Sequence, residues 1–444
     1  MLDVAIIGCG VIGAAAAYEL SHYPLQTAIF EAENDVADCT TKANSAILHA
    51  GYDPEPHPDG AAQRGGVRTG QGDLRPAGCA VPAVRQSGAG PQPEELPHLQ
   101  KLYENGIANG VPGIRLLSAE ETFAMEPNLA PTVVGALYAP APPSSARGSL
   151  RWQWQKWLCA TAWSCTAAAC DPHRKDRRRL GADHPLRNCG DPLHHQCGRH
   201  LGAGRARYGR TPQITIQPTR GEYYLLDKSE GSRVHHVIFQ CPNENGKGVL
   251  VAPTVHGNLI VGPNADPVEG DDTACTAAGL AFVSAAARRS VPNIRFSESI
   301  RNFAGVRANV DTGDFVIGEA EGAPGFIDLA GMKSPGLSSA PAVAREAVKI
   351  LEAHGDLPAP KADYRDGRTR VRFKELPPEE KARLIAKEPA YGRVICRCER
   401  SPRAKFWMLC TKRSPPPPLT VSSAAAVPVW AAVRAAFAGR GCWS

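Results

Sequence analysis

The tightest constraint on this chain sits at its start. Residues 3–8 read DVAIIG, a continuous apolar run of the kind that suits a parallel strand buried on both faces. GCGVIG at 8–13 places Gly8, Gly10 and Gly13 in G-x-G-x-x-G spacing, and AAAAYELSH behind it predicts a helix. QTAIFEAE at 26–33 predicts a second strand, closed by Glu31, 23 residues after Gly8. Each part has a mechanical reason. Gly8 permits a tight turn, Gly10 lets the backbone approach a pyrophosphate, and Gly13 permits close helix–strand packing. The helix N-terminus offers free N–H groups to phosphates, and Glu31 is placed to accept hydrogen bonds from an adenosine ribose. A lone G-x-G-x-x-G is weak, but strand, glycines, helix, strand and acid in this order specify a dinucleotide-binding unit. Cys9, between the glycines, reads as a small packed residue.

The chain has 444 residues, enough for two domains and a small third. With 43% hydrophobic and 21% charged residues it is ordinary globular material, which excludes collagen-like, coiled-coil and wholly disordered chains. No apolar run reaches the roughly 18 residues of a membrane span. The opening VAIIG lacks a basic n-region, so no secretory signal is expected. The fourteen cysteines are then expected to be reduced. The expected location is cytoplasmic, at most peripheral at the inner face of the membrane.

The net charge of +6 is unevenly distributed. Residues 147–210 contain no Glu, Ile, Val or Phe and carry a net charge of +9. Residues 57–93 carry +2 and residues 400–444 carry +7, which leaves −12 on the remainder. All 7 Trp and 8 of the 14 Cys lie in these stretches. A segment without β-branched aliphatics is a poor source of buried strand. Disordered Arg-rich linkers are one reading. A nucleic-acid partner would need the basic charge on a recognisable module; none is visible, and no nucleic-acid partner is expected.

A third reading is translation out of frame. HHQCGRHLG at 194–202, read one base later, permits IINAAGIWA. SPRAKFWMLC at 401–410, read two bases later, permits VTEGEILDAL, and VWAAVRAAFAGRGCW at 429–443 permits GMGRCxGGFCGPRVL. HPDGAAQRGG at 57–66 permits TLMARLNVxG. On this reading the basic charge implies no partner, and the core strand that ends in NAAG exists only in the shifted frame.

TTKANSAILHAGYDP at 40–54 is rich in small and hydroxyl residues, which suits close passage by a flat ring system. GCGVIG, the acid and NSAILHAGYDP together resemble the FAD-dependent oxidoreductases of the D-amino-acid oxidase superfamily, in the branch that is similar to glycerol-3-phosphate dehydrogenase. The resemblance covers roughly 1–56, 94–146 and 211–399. It implies that Gly8, Gly10, Gly13, Glu31, Thr41, Asn44 and Ser45 hold FAD. It also implies that His49 faces the reacting centre or attaches the cofactor; the plain alternative is a packed loop histidine.

QITIQPTRGEYYLLDK at 213–228 alternates like a half-buried strand. With HHVIFQCP, GVLVAPTVHGNLIVGP and the helical ACTAAGLAFVSAAARRS, it predicts antiparallel strands with a helix, similar to the family's substrate domain. Arg220, Tyr223 and Tyr224 are candidates for a substrate anion, or simply line a strand. His235 and His236 read as a solvated pair, and His256 as part of an HGN turn. IRNFAGVRANVDTGDFVIGEA at 300–320 resembles the family's return segment, in which an arginine meets a substrate carboxylate or phosphate. Arg307 fills that place, with Ala308 where a proline is usual. The planar guanidinium suits bidentate oxyanion binding. FIDLAGMKSPGLSSAPAVAREAVKIL at 326–351 predicts strand, glycine-rich turn and a helix from near Ser338. By resemblance, Gly331, Gly336 and Leu337 lie against the flavin by their backbone. The helix dipole would there stabilise charge on a reduced flavin.

Cys396 and Cys398 form a C-x-C, a weak metal signal alone. With the shifted-frame C-x4-C they resemble a ferredoxin-like module, where four thiolates hold a [2Fe–2S] cluster in the intact form. The fold expected is therefore α/β: a Rossmann-like FAD-binding domain with an antiparallel-sheet substrate domain (α+β), plus a disrupted C-terminal tail. The divisions are 1–56 and 301–355 for the FAD domain, 94–146 for the connection, 211–300 for the substrate domain and 356–399 for linker and iron–sulfur start. The stretches 57–93, 147–210 and 400–444 are expected to be out of frame. The expected activity is hydride transfer from a hydroxyl- or amine-bearing carbon to flavin N5, with glycerol 3-phosphate or a 2-hydroxy acid as the small-molecule substrate. Electrons would leave through a partner subunit or the quinone pool. The alternatives are a frameshifted relative that binds no FAD, and an amine or amino-acid oxidase.

Overall fold

The computed structural model describes residues 2–33, 36–47, 49–52, 96–140, 214–241, 248–254, 256–311, 313–364, 373 and 376–394. Of 86–90, 193–197, 395–396 and 401–402 it describes the backbone alone.

Among the described residues two large sheets form. The first has the order β13-β14-β6-β1-β2. Here β1 is Val4–Ile7, β2 Thr27–Phe30, β6 Leu193–Cys197, β13 Val316–Glu319 and β14 Phe326–Ala330. All pairs are parallel except β13 with β14. Helices α1 (Val11–Leu20) and α5 (Gly336–His354) pack together on this sheet. Ala14–Ala17 of α1 and Ala340, Ala344 and Ala347 of α5 are buried there with Ile6, Leu20, Ile29, Ile327, Leu329 and Leu351. Small side chains let the helix axes approach, so the alanine run that marks α1 in the sequence also decides its packing.

One expectation is corrected here. Residues 147–210 were expected to supply no core strand, yet β6 occupies the slot between β1 and β14, with His194, His195 and Gln196 in register with Ala5, Ile6 and Ile7. The ladder is made by backbone groups, so a parallel slot flanked by two strands accepts a segment of poor β-propensity. Likewise β3 (Gln86–Gly90), inside the stretch 57–93, pairs with strands on both sides of the second sheet.

The second sheet has the order β11-β7-β10-β9-β8-β3-β5-β4, and β12 lies along β7. Its strands are β4 Arg115–Ser118, β5 Gly135–Ala139, β7 Ile216–Leu226, β8 Val237–Gln240, β9 Leu250–Pro253, β10 Leu259–Gly262, β11 Asp266–Pro267 and β12 Ser299–Val310. Pairing is antiparallel throughout except β3 with β8, the pattern expected for 211–300; the sheet extends beyond those bounds, since β3, β4 and β5 join it from 57–146, and β12, expected in the return to the first domain, pairs along β7 instead. Helices α2 (Leu96–Ala108) and α3 (Ala119–Met125) belong to the connection, and α3 starts on a reciprocal Ser118–Glu121 capping box. Helix α4 (Ala277–Ser290) covers one face of the sheet through Val283 and Ala287. On the other face Ile47, Tyr223, Val237, Leu250, Ala252 and Ile260 form a cluster.

His235 and His236 are not a solvated pair. The buried Glu126 carboxylate accepts both backbone N–H groups and lies 2.5 Å from His236 Nδ1. The His235 ring is mostly in solvent and the His236 ring largely buried, because β8 starts directly after this pair and turns the second ring inward. Beyond α5, Lys361 donates its N–H to the His22 carbonyl, and Tyr364 meets Ser21, which ties the linker to the end of α1. Then come α6 (Pro378–Lys387) and a hairpin of β15 (Val394–Cys396) with β16 (Ser401–Pro402). No helix among the described residues is long and apolar enough to cross a membrane.

Leu329 is fully buried at the centre of the first core. Leu329→Ala is expected to cost about 2–5 kcal/mol of stability, measured as a lowered denaturant midpoint with an unchanged slope.

Candidate active site

The dinucleotide end is built by the turn from β1 into α1. Gly8 has φ 97°, a conformation side-chain-bearing residues avoid. Gly10 is the N-cap of α1, and a Cβ there would stand 3.2 Å from the Thr41 hydroxyl. That hydroxyl accepts the Val11 N–H at 3.0 Å. Gly13 is buried in the packed face of α1. Glu31 accepts the Cys9 N–H at 2.7 Å through Oε2, and the Ala32 and Glu33 N–H groups through Oε1. The carboxylate therefore pins the glycine turn. Asn44 clasps its own turn: its amide donates to the Thr41 carbonyl and its oxygen accepts the Ala46 N–H, each at 2.6 Å. Ala46 sits at φ 55°, held there by this clasp. Ser45 lies half-buried in the same turn.

The other end is the turn from β14 into α5. Gly331 has φ 71°, and a Cβ there would collide with Val310. Helix α5 starts at Gly336, two residues before the expected Ser338, and Leu337 and Ser338 follow in its first turn. Residues 285 and 289 apart in sequence meet here. Ser338 Oγ accepts the His49 N–H at 3.0 Å, and His49 Nε2 lies 3.1 Å from Ser334 Oγ. Ser339, fully buried in the same turn, carries a hydroxyl without a partner. A glycine cradle at one helix start and an orphaned hydroxyl at the other fit an extended dinucleotide bound between α1 and α5.

A further group of candidates lies on the face of the second sheet that looks toward His49. Phe239 lies 6.1 Å from the His49 ring, centroid to centroid. Tyr223 stacks on Phe303 at 4.9 Å and packs with Ile47. Arg307 donates from Nη1 to the Asn264 carbonyl at 3.2 Å. Burial pushes the Tyr223 phenol above its ordinary pKa, and the hydrogen-bonded Arg307 guanidinium pulls the other way. Strand β12 is tied to the segment 40–54 by Thr40, whose hydroxyl donates to the Val306 carbonyl at 2.7 Å.

Two candidates fall elsewhere. Arg220 is buried on the opposite face, 2.9 Å from Asp272 and 3.2 Å from Glu222, and anchors the approach to α4. Tyr224 is on that face too, edge-on to Phe296. Strand alternation sends 220, 222 and 224 away from 221 and 223, and the sequence could not say which set faced the site. Cys396 ends β15, and Cys398 lies outside the described residues. Among the described residues no group of three or more His, Cys, Asp or Glu could hold a metal. Ser334, Ser338, Thr40 and Asn264 were not singled out in the sequence; the hydroxyls of SPGLSS and TTK were the available signal.

A profile of the family described as FAD dependent oxidoreductase matches residues 3–144 and 197–350. A glycerol 3-phosphate dehydrogenase of Caloramator mitchellensis is 39% identical over 424 residues, covering 90% of this chain and 84% of the relative. A glycerol 3-phosphate oxidase of Mycoplasma genitalium is 31% identical over 383 residues, covering 79% and 94%. Among solved structures, the dithionite-reduced, FAD-bound L-α-glycerophosphate oxidase of Mycoplasma pneumoniae superposes with a TM-score of 0.65 at 27% identity, covering 83% of this chain and 98% of that one.

Gly10→Leu would drive a side chain into the Thr41 hydroxyl and the pyrophosphate cradle. The expected outcome is loss of visible flavin absorbance per purified chain, with the far-ultraviolet dichroism retained.

Proposed function

The chain belongs to the FAD-dependent oxidoreductase family, and from that premise we propose that it oxidises the secondary alcohol of glycerol 3-phosphate. The observation that carries this reading is the convergence of a histidine under the α5 N-terminus with an arginine across the Ile47–Tyr223–Phe303 cluster. FAD, when bound, supplies the hydride acceptor. The residues that would hold it are Gly8, Gly10, Gly13, Glu31, Thr41, Asn44 and Ser45 at one end and Gly331, Gly336 and Leu337 at the other. His49 Nε2 takes the hydroxyl proton of the substrate, whose hydroxyl replaces Ser334 Oγ at the single lone pair of that nitrogen. Arg307 pairs with the phosphate. Phe239, Tyr223 and Phe303 shed water from the carbinol between them. Electrons leave to a partner subunit or the quinone pool. The written chain offers only Cys396 and Cys398 at the spacing of an iron–sulfur module, so no step passes through a cluster.

The same proposal includes the out-of-frame reading of 57–93, 147–210 and 400–444. Two observations support it. The family match skips residues 145–196. And β6 lies where HHQC would read IINA one base later, an apolar sequence for a strand flanked on both sides. Resequencing the codons for 50–100, 140–215 and 395–444 tests this: an unchanged DNA sequence would sink it.

For the activity, the test is turnover with glycerol 3-phosphate, 2-hydroxy acids and amino acids, using a dye as acceptor so that no partner is needed. Glycerol 3-phosphate is expected to be the best substrate; turnover of amino acids alone would overturn the reading, and purification without flavin would favour the inactive relative. His49→Asn is expected to keep its flavin and lower kcat by at least about 100-fold, the loss that follows removal of a general base.

A further inference from the structure

On the β7–β12 ladder, Gly221 stands directly opposite Gly305. Directly opposed residues of an antiparallel pair point to the same face. Thr219, Gly221 and Tyr223 therefore share a face with Phe303, Gly305 and Arg307. Glycine inside a strand weakens it, and commonly marks a place where something else approaches closely. Two opposed glycines at the centre of a long ladder call for two such approaches, and the structure supplies both. A Cβ on Gly305 would lie 2.5 Å from the Ala43 Cβ and 2.6 Å from the Ala43 carbonyl oxygen, so this glycine admits the flavin segment. A Cβ on Gly221 would lie 2.5 Å from Arg307 Nη2, 3.0 Å from its Cζ and 2.9 Å from the Pro263 Cβ, so this one admits the guanidinium.

The guanidinium lies over bare backbone for a structural reason. Its Nη1 donates to the Asn264 carbonyl and the group also hydrogen-bonds Tyr223, and in this pose it crosses Gly221. Asn264 is in turn held rigidly: its Oδ1 accepts the Glu222 N–H at 2.7 Å and its Nδ2 donates to Asp266. Glu222, fully buried, accepts the Thr276 N–H and hydroxyl at the start of α4. The carbonyl that orients Arg307 is thus fastened to the second sheet and its helix, and is independent of the substrate.

We propose that Gly221 is a positioning residue for substrate recognition: its bare backbone lets Arg307 lie across β7 on the Asn264 carbonyl, which aims the guanidinium at a terminal phosphate. The inference rests on the reading of Arg307 as the phosphate partner. The position is one of orientation, since Arg307 keeps its charge in any pose.

The test is a double-mutant cycle read by equilibrium binding as well as by turnover. The probe is n-propyl phosphate, which keeps the phosphate and lacks the carbinol, titrated calorimetrically into the flavin-loaded protein. Gly221→Ala is expected to weaken its binding and raise KM for glycerol 3-phosphate by about tenfold, the loss from misplacing one charge-assisted contact. Flavin content and kcat should stay within about twofold, since no group at the reacting carbon changes. In an Arg307→Ala background the same substitution should have no further effect on binding. Additive losses, or unchanged binding in Gly221→Ala where Arg307→Ala weakens it, would overturn the positioning role alone. Unchanged binding in Arg307→Ala would overturn the phosphate reading, and the positioning role with it. Arg307→Lys covers the case in which Gly221→Ala does not fold. Lysine keeps the charge but cannot span the Asn264 carbonyl and a phosphate with a planar fork, so its binding should fall to within about twofold of Arg307→Ala. Wild-type affinity in Arg307→Lys would show that charge alone suffices and would refute the proposal.

Discussion

The site depends on one short segment held from both sides. Thr41 receives the Val11 N–H from α1, and Thr40, its neighbour, donates to the Val306 carbonyl of β12 in the second sheet. Two consecutive threonines of one turn thus hold two different structures. From this fastening the chain runs through the Asn44 clasp to Ile47, which is buried against Tyr223, and on to His49 at the start of α5. Loosen either threonine and the glycine cradle, the histidine and the arginine lose their common reference.

Around this segment the protein uses buried carboxylates as clamps. Glu126 gathers the backbone ahead of β8, Glu222 gathers α4 and Asn264, and Glu230 gathers Arg233 and Arg295. All three are almost completely buried. Such groups are costly to bury and are kept in place by several donors each. Glu230 shows the balance. Burial alone would raise its pKa, and the hydrogen bonds and charge of Arg233 and Arg295 together hold it below the ordinary carboxylate range. What these clamps provide is fixed orientation of the elements that carry Phe239, Tyr223 and Arg307. The clamps hold these side chains in fixed relation to one another.

Much of the turn from β1 into α1 was legible in the chain. The strand, the tight turn at Gly8, the helix behind it and the acid at Glu31 follow from spacing, because each has a local backbone reason to be what it is. The substrate end was legible only in outline. Alternation in QITIQPTRGEYYLL marked a strand, and pattern alone left Arg220 and Arg307 as rivals. Arg220 lost because its face turns toward α4, where Asp272 and Glu222 await it. The strand at 193–197 was the clearest miss. Its residues argue against a strand, and the slot between β1 and β14 decides otherwise, because a ladder is satisfied by backbone groups whatever side chains they carry.

By itself the sequence determined what depends on neighbours along the chain: the turn at Gly8, the helix behind it, the acid that closes the second strand, and the alternation of the substrate strands. Tertiary structure alone decided which residues meet. It set His49 beside Ser334 and Ser338, nearly 300 residues away along the chain, and laid Arg307 across Gly221. The physical reason is that local geometry is written in φ and ψ preferences, which act over a few residues. Register, facing and long-range contact arise from sheet pairing and core packing, which no local preference encodes.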